Sequence, residues 1–133
     1  MGFKKMDASV TNLEEKLAKF EAEAVNHKTN LILFLADVDP ATSLSWCPDC
    51  VRAEPVIYRK LEEAGEGVSL LRAYVGDKAT WRNPQHPWRV DPRFHLTAVP
   101  TLLLWHNHSV SARLDDHQAH LPDNISALLA SSP

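Results

Sequence analysis

Cysteine is scarce in this chain of 133 residues: there are two, Cys47 and Cys50, with only two residues between them. A pair so close cannot cross-link distant parts of a fold, which excludes a disulfide-scaffold class. A staple is not needed either, because a chain of this size buries roughly two thirds of the surface its unfolded form exposes. Basic clusters are missing as well. No more than two Lys or Arg residues are adjacent and the formal net charge is −3, so nothing favours a nucleic-acid or anionic-membrane partner. The opening MGFKKMDASV has a basic pair but no apolar stretch of the secretory kind. Position 6 is Met, not the Ser or Thr that would make Gly2 a myristoylation signal. The longest apolar run, residues 31–36, is far too short to span a membrane. Internal repeats, low-complexity tracts and a dividing linker are also absent. One domain over residues 1–133 is expected, soluble and cytoplasmic, and monomeric for want of any heptad.

What is present reads as alternating helices and strands. Thr11-Asn12-Leu13-Glu14 has the form of a capping box, and Leu13, Leu17, Phe20 and Ala24 then make an apolar stripe at helical spacing. Residues 31–36 (LILFLA) suit a strand covered on both faces. A polar loop, residues 37–45, leads to the cysteines. A second helix is predicted from Pro48 to Ala64, stopped by Gly65 and Gly67. Residues 68–75 form a further strand, 101–105 and 110–114 a hairpin, and 122–129 a last helix. Residues 76–95, with three prolines and two tryptophans, have no clean period and exceed an ordinary connection. Trp81 and Trp88 there serve either as anchors or as substrate contacts. This order predicts an α/β fold with a mixed central sheet and helices on both faces.

Cys47 falls where a loop after a buried strand turns into a helix. Pro48 suits the first helical position, which puts Cys47 at the N-cap, facing unpaired N–H groups and the positive end of the helix dipole. Such a place favours thiolate: a thiol with a pKa near 8.5 is only about 3% ionised at pH 7, one near 7 about half. Cys50, almost a turn inward, is within reach but less exposed. Cys47 is thus the expected attacking thiol and Cys50 the resolving one. Asp49 either opposes the thiolate as a like charge or merely stabilises the first helical turn. Glu54, one turn beyond Cys50, either moves the proton of Cys50 or is a solvated surface acid. Pro55 removes one helical hydrogen bond and should kink the helix.

A C-x-x-C pair can also be half of a zinc site. His106 and His108 lie in a predicted turn and His117 and His120 in a late polar stretch, without the finger-type spacing. A zinc module and a non-catalytic binding adaptor remain the alternatives to a redox site.

Trp46-Cys47-x-x-Cys50, Pro55 and Val99-Pro100-Thr101 before an apolar strand together resemble thioredoxins. More closely, SWCPDCVRAEPV (45–56), VGDKATWRNPQHPWR (75–89) and TAVPTLL (97–103) resemble the Clot-type, fourteen-kilodalton thioredoxin-related proteins, a likeness covering most of the chain from about residue 31. The resemblance implies a thioredoxin-like fold and a selective protein-disulfide or small-disulfide reductase. Electrons would come from NADPH through thioredoxin reductase, with no bound cofactor beyond the redox-active disulfide. Substrates would include cystine and selected protein disulfides. A cis Val99–Pro100 bond beside the cysteines is implied as well, with Trp46, Pro48, Val99 and Pro100 lining the substrate and Trp46 exposed. Thioredoxins carry a buried acid on the strand before the site, whereas Ile32-Leu33-Phe34-Leu35 is wholly apolar. Asp49, Glu54 or water must take its place. The long segments 37–45 and 76–95 are expected to wall the groove and narrow the substrate range.

Overall fold

The computed structural model describes residues 2–132. Its chain runs through β1 (Lys4–Ser9), α1 (Leu13–Ala22), β2 (Thr29–Leu35), β3 (Val38–Asp39), β4 (Leu44–Ser45) and α2 (Pro48–Ala64). Then come β5 (Val68–Tyr74), α3 (Lys78–Arg82), α4 (Pro87–Val90), β6 (Thr101–His106), β7 (Ser109–Leu114) and α5 (Pro122–Ala130). Five strands form one sheet in the order β1-β5-β2-β6-β7. β5 runs parallel to both β1 and β2, while β6 and β7 are antiparallel additions. This is the mixed sheet expected of a thioredoxin-like α/β fold.

β2 lies at the centre and every one of its residues is buried, as a strand covered on both faces requires. Phe34 points to the side where Trp88 and Phe94 meet it edge-on, with ring centroids 5.3 and 5.2 Å away. On that same side Trp105 packs near Phe94 and donates to Glu21 of α1. α2 and α5 pack against each other and cover the opposite face. Edge-on aromatic pairs add stabilisation beyond their buried area, so the irregular segment between β5 and β6 is fastened into the core.

Several expectations need correction. α1 is capped at Asn12, not Thr11, and its side chain makes no bond to the helix. Asn12 Oδ1 instead accepts from the Ser9 amide at 2.7 Å, closing the turn that leaves β1. The sequence pattern predicts no element where β1 lies. Its residues KKMDAS bury only Ala8, so an edge strand of this kind carries little apolar periodicity. The loop 37–45 holds the two-stranded ladder of β3 and β4. Residues 76–95 contain α3 and α4, each too short to display a helical period. α2 has the expected bounds and continues through Pro55.

Candidate active site

Cys47 is the N-cap of α2, with extended backbone (φ −106°, ψ 107°) and Pro48 as the first helical residue. That geometry turns its sulfur back over the first turn, where Sγ accepts the Cys50 amide at 3.2 Å. Its own amide donates to Ser45 Oγ at 3.2 Å, which ties the N-cap to the end of β4. Both cysteines are free thiols in the structure. Cys47 keeps 7% of its surface exposed and Cys50 none. The outer sulfur is therefore the one a substrate can reach.

Opposite the pair, the Val99–Pro100 bond is cis, and the Cys47 thiol points to the Val99 carbonyl oxygen at 3.6 Å. Val99 and Pro100 thus lie against Cys47, although 52 residues separate Val99 from it in sequence. Pro48 is exposed beside them. Trp46 is half-buried, not exposed as expected, because its indole Nε1 donates to the Gly76 carbonyl at 3.0 Å. Gly76 adopts φ +98°, and a Cβ there would meet Thr80 Cγ2 at 2.9 Å. Glycine is needed at this junction. Its amide also donates to Asp37 Oδ1 at 3.1 Å, so the rim of the site is one hydrogen-bonded unit.

The two thiols are driven apart. Cys47 is lowered to about 7, chiefly because the Cys50 thiol donates to it, with further help from the Cys50 and Asp49 backbone N–H groups. Burial and the Asp49 carboxylate oppose this. Cys50 is pushed up, first by its donation to Cys47 and then by burial, by the Cys47 charge and by Glu54, against the Ala36 backbone. A pair with one thiolate near neutrality and one retained proton is suited to sequential attack. The Asp49 carboxylate pairs with Arg52 Nη2 at 3.2 Å and remains partly exposed. It acts on the site as a like charge and not only as a first-turn acid.

Because the thiolate is the reactive form, attack should accelerate as pH rises toward 7 and level off above it. Asp49→Asn removes the opposing charge while leaving the backbone N–H at that position in place. Thiolate absorbance at about 240 nm follows the Cys47 titration. We expect it to move down by roughly 0.2 to 0.5 pH unit in this variant, the scale of a solvent-screened pair. An upward movement or none would remove Asp49 from the electrostatics of the site.

The tryptophans of residues 76–95 are anchors and not substrate contacts: Trp81 and Trp88 are buried. His86, singled out by no sequence signal, is buried between them. Its Nε2 faces the Val75 carbonyl at 2.8 Å and its Nδ1 accepts the Trp88 amide at 3.1 Å. Those partners select the neutral tautomer with the proton on Nε2, and burial lowers the imidazole pKa. Arg89 stacks on Trp81 with its guanidinium 3.6 Å from the ring centre and donates to the Trp81 and Thr97 carbonyls. Segment 76–95 is thereby linked to the strand of backbone that carries Val99 and Pro100. Among the described residues, no group of three or more His, Cys, Asp or Glu side chains is placed to hold a metal ion. No helix among them is long and apolar enough to cross a membrane.

Residues 2–131 match the family described as thioredoxin domain-containing protein 17-like, thioredoxin domain. The chain is 59% identical to the thioredoxin-like protein Clot of Arabidopsis thaliana over 133 residues, 99% of each chain. It is 50% identical to the Clot protein of Oryza sativa subsp. japonica, over 97% of each. Thioredoxin domain-containing protein 17 of Homo sapiens is 39% identical over 97 residues, 73% of this chain and 75% of that one. Among solved structures, a mutant thioredoxin from Halobacterium salinarum NRC-1 superposes with a TM-score of 0.61 at 14% identity, covering 98% of this chain and 92% of the other. A Malassezia sympodialis thioredoxin gives 0.56 at 16% identity, over 96% and 90%. These two similarities concern the fold.

Proposed function

This chain belongs to the thioredoxin domain-containing protein 17-like family, and from that premise we propose that it is a cytoplasmic thiol–disulfide oxidoreductase that reduces a restricted set of disulfides. The observation that carries the reading is the Cys47 sulfur, capping α2 through the Cys50 amide and facing the Val99 carbonyl. Cys47 thiolate attacks one sulfur of a substrate disulfide. The S–S bond breaks, one substrate thiolate leaves and takes a proton, and the other half stays bonded to Cys47. Cys50 then loses its proton and attacks Cys47 Sγ. The second substrate thiol departs and the Cys47–Cys50 disulfide forms. Two electrons restore the dithiol, supplied from NADPH by thioredoxin reductase, and no other cofactor is required.

A substrate strand lying along residues 97–100 would pair with the Val99 backbone, with Trp46, Pro48 and Pro100 beside the reacting sulfurs. Leu44 in β4 is 59% exposed and lies two residues before Trp46. This apolar shoulder, with the anchored segment 76–95, narrows access and favours cystine and selected protein disulfides over bulky ones.

The test is turnover of NADPH by the protein with thioredoxin reductase and cystine. Oxidation of NADPH that requires all three components is expected. Binding of disulfide partners without NADPH consumption would instead make the chain an adaptor.

A further inference from the structure

Resolution of the mixed disulfide needs a proton acceptor, because Cys50 is fully buried, and burial holds its thiol protonated even after Cys47 has given up its charge to the bond with substrate. The central strand that passes behind the pair offers none: Leu31 to Leu35 are all apolar and without exposure. The carboxylate whose charge registers at Cys50 is Glu54. It sits four residues on, so both side chains share one face of α2. Tyr58, four residues further along the same face, donates its hydroxyl to Glu54 Oε1 at 2.8 Å.

Glu54 is not left to its own rotamers. Arg72 Nη1 donates to the Tyr58 hydroxyl at 3.3 Å. The rest of its guanidinium forks onto Asp7, Nε to Oδ1 at 2.6 Å and Nη2 to Oδ2 at 2.8 Å. Asp7 and Arg72 are direct partners in the parallel pairing of β1 and β5, so the sheet sets the fork. The Tyr58 ring packs against Phe3 and lies under the guanidinium, 5.8 Å from ring centre to Cζ. Burial, ahead of other causes, pushes the Tyr58 phenol up, so it remains a donor. A chain of side chains from β1, β5 and α2 thus ends on one carboxylate, on the helix face of the resolving cysteine.

We propose that Tyr58 and Arg72 are positioning residues for the resolving step, holding the Glu54 carboxylate where it takes the proton that leaves Cys50. The inference rests on the reading that Cys50 resolves a mixed disulfide on Cys47. In the step, the Cys50 S–H bond breaks and its proton passes to Glu54, directly or through one bridging water. The freed electron pair forms the bond to Cys47 Sγ, the substrate sulfur leaves with the pair of the broken S–S bond, and that thiolate accepts the proton from Glu54 or solvent.

The experiment is stopped-flow reduction of the aromatic disulfide 5,5′-dithiobis(2-nitrobenzoate) (about two thiolates released per protein). The first release reports attack by Cys47 and the second reports resolution by Cys50. Urea melts of each variant report folding. Glu54→Gln should slow the second release roughly a hundredfold. Its rate should then climb about tenfold per pH unit, as bulk ionisation of the thiol takes over. Tyr58→Phe keeps the ring but loses the hydroxyl, and should slow the second release about tenfold with a steepened pH profile and an unchanged first release. Arg72→Lys, whose ammonium cannot serve Asp7 and Tyr58 together, should move in the same direction by a smaller factor, and decides the matter should Tyr58→Phe not fold. A slowed Glu54→Gln with folded Tyr58→Phe and Arg72→Lys both at the native rate and pH profile would overturn the positioning role alone. Absence of any second release in the unmodified protein would overturn the underlying reading of Cys50.

Discussion

Cys47→Ser is expected to reduce disulfide reduction to background, and Cys50→Ser to leave the first attack intact but stall the protein as a mixed disulfide. The difference follows from position. Cys47 holds the N-cap, and its pKa of about 7 leaves about half the sulfur as thiolate at neutral pH. A serine hydroxyl there can keep the capping bond to the residue-50 amide but does not ionise, so the fold survives and the nucleophile is lost. Cys50 is the only other thiol in the chain and is already within hydrogen-bonding range of Cys47 Sγ through its own amide. Without its sulfur nothing internal can displace the bound substrate half. Mass spectrometry of Cys50→Ser after exposure to cystine should show a cysteinyl adduct on Cys47, removable by dithiothreitol. Full activity in Cys47→Ser, or no adduct in Cys50→Ser, is incompatible with this mechanism.

Phe34→Ala should be the most destabilising single truncation near the site. Phe34 has no exposed surface, sits in the central strand and touches both Trp88 and Phe94. Truncating such a ring costs about 3–5 kcal/mol in lost burial and residual cavity, against a total stability of roughly 5–15 kcal/mol for a domain. With a urea dependence of about 1–3 kcal/mol per molar, the unfolding midpoint should drop by ~2 M. The ring also fastens the segment between β5 and β6, so that segment should become the first to open to protease. Val25, 88% exposed, provides the contrast, and Val25→Ala should stay within about 0.5 kcal/mol. Equal midpoints for the two variants would mean that the aromatic cluster does not hold the core.

The parts of the molecule legible in sequence are those whose causes are local. Pro48 and Gly65 bracket α2 because one lacks the amide that a first helical residue leaves unpaired and the other tolerates φ +86° at the end. The unbroken apolar run around Ile32 to Leu35 marks a strand buried on both sides. The two-residue spacing of the cysteines and the adjoining proline place Cys47 at a helix start, with Cys50 inward of it. β1 is not legible, because its hydrogen bonds go to β5, 65 residues away for Asp7 and Arg72, and its own side chains carry little pattern. α3 and α4 are too short to show a period, and Trp46 is drawn inward by a carbonyl 30 residues distant.

At the cysteine pair, then, the amino-acid sequence by itself determined which sulfur caps α2, which lies inward of it and the helix that sets them apart, since all three depend on neighbours within one turn. Only the tertiary structure decided what faces them. The Val99 carbonyl reaches Cys47 across a cis bond whose isomer the dipeptide leaves open. Glu54 gains Tyr58 by helical spacing, but Arg72 and Asp7 join them only because β5 and β1 pair in this register. Short-range spacing can create a reactive pair, whereas the groups that orient its protons come from strands brought together by the sheet.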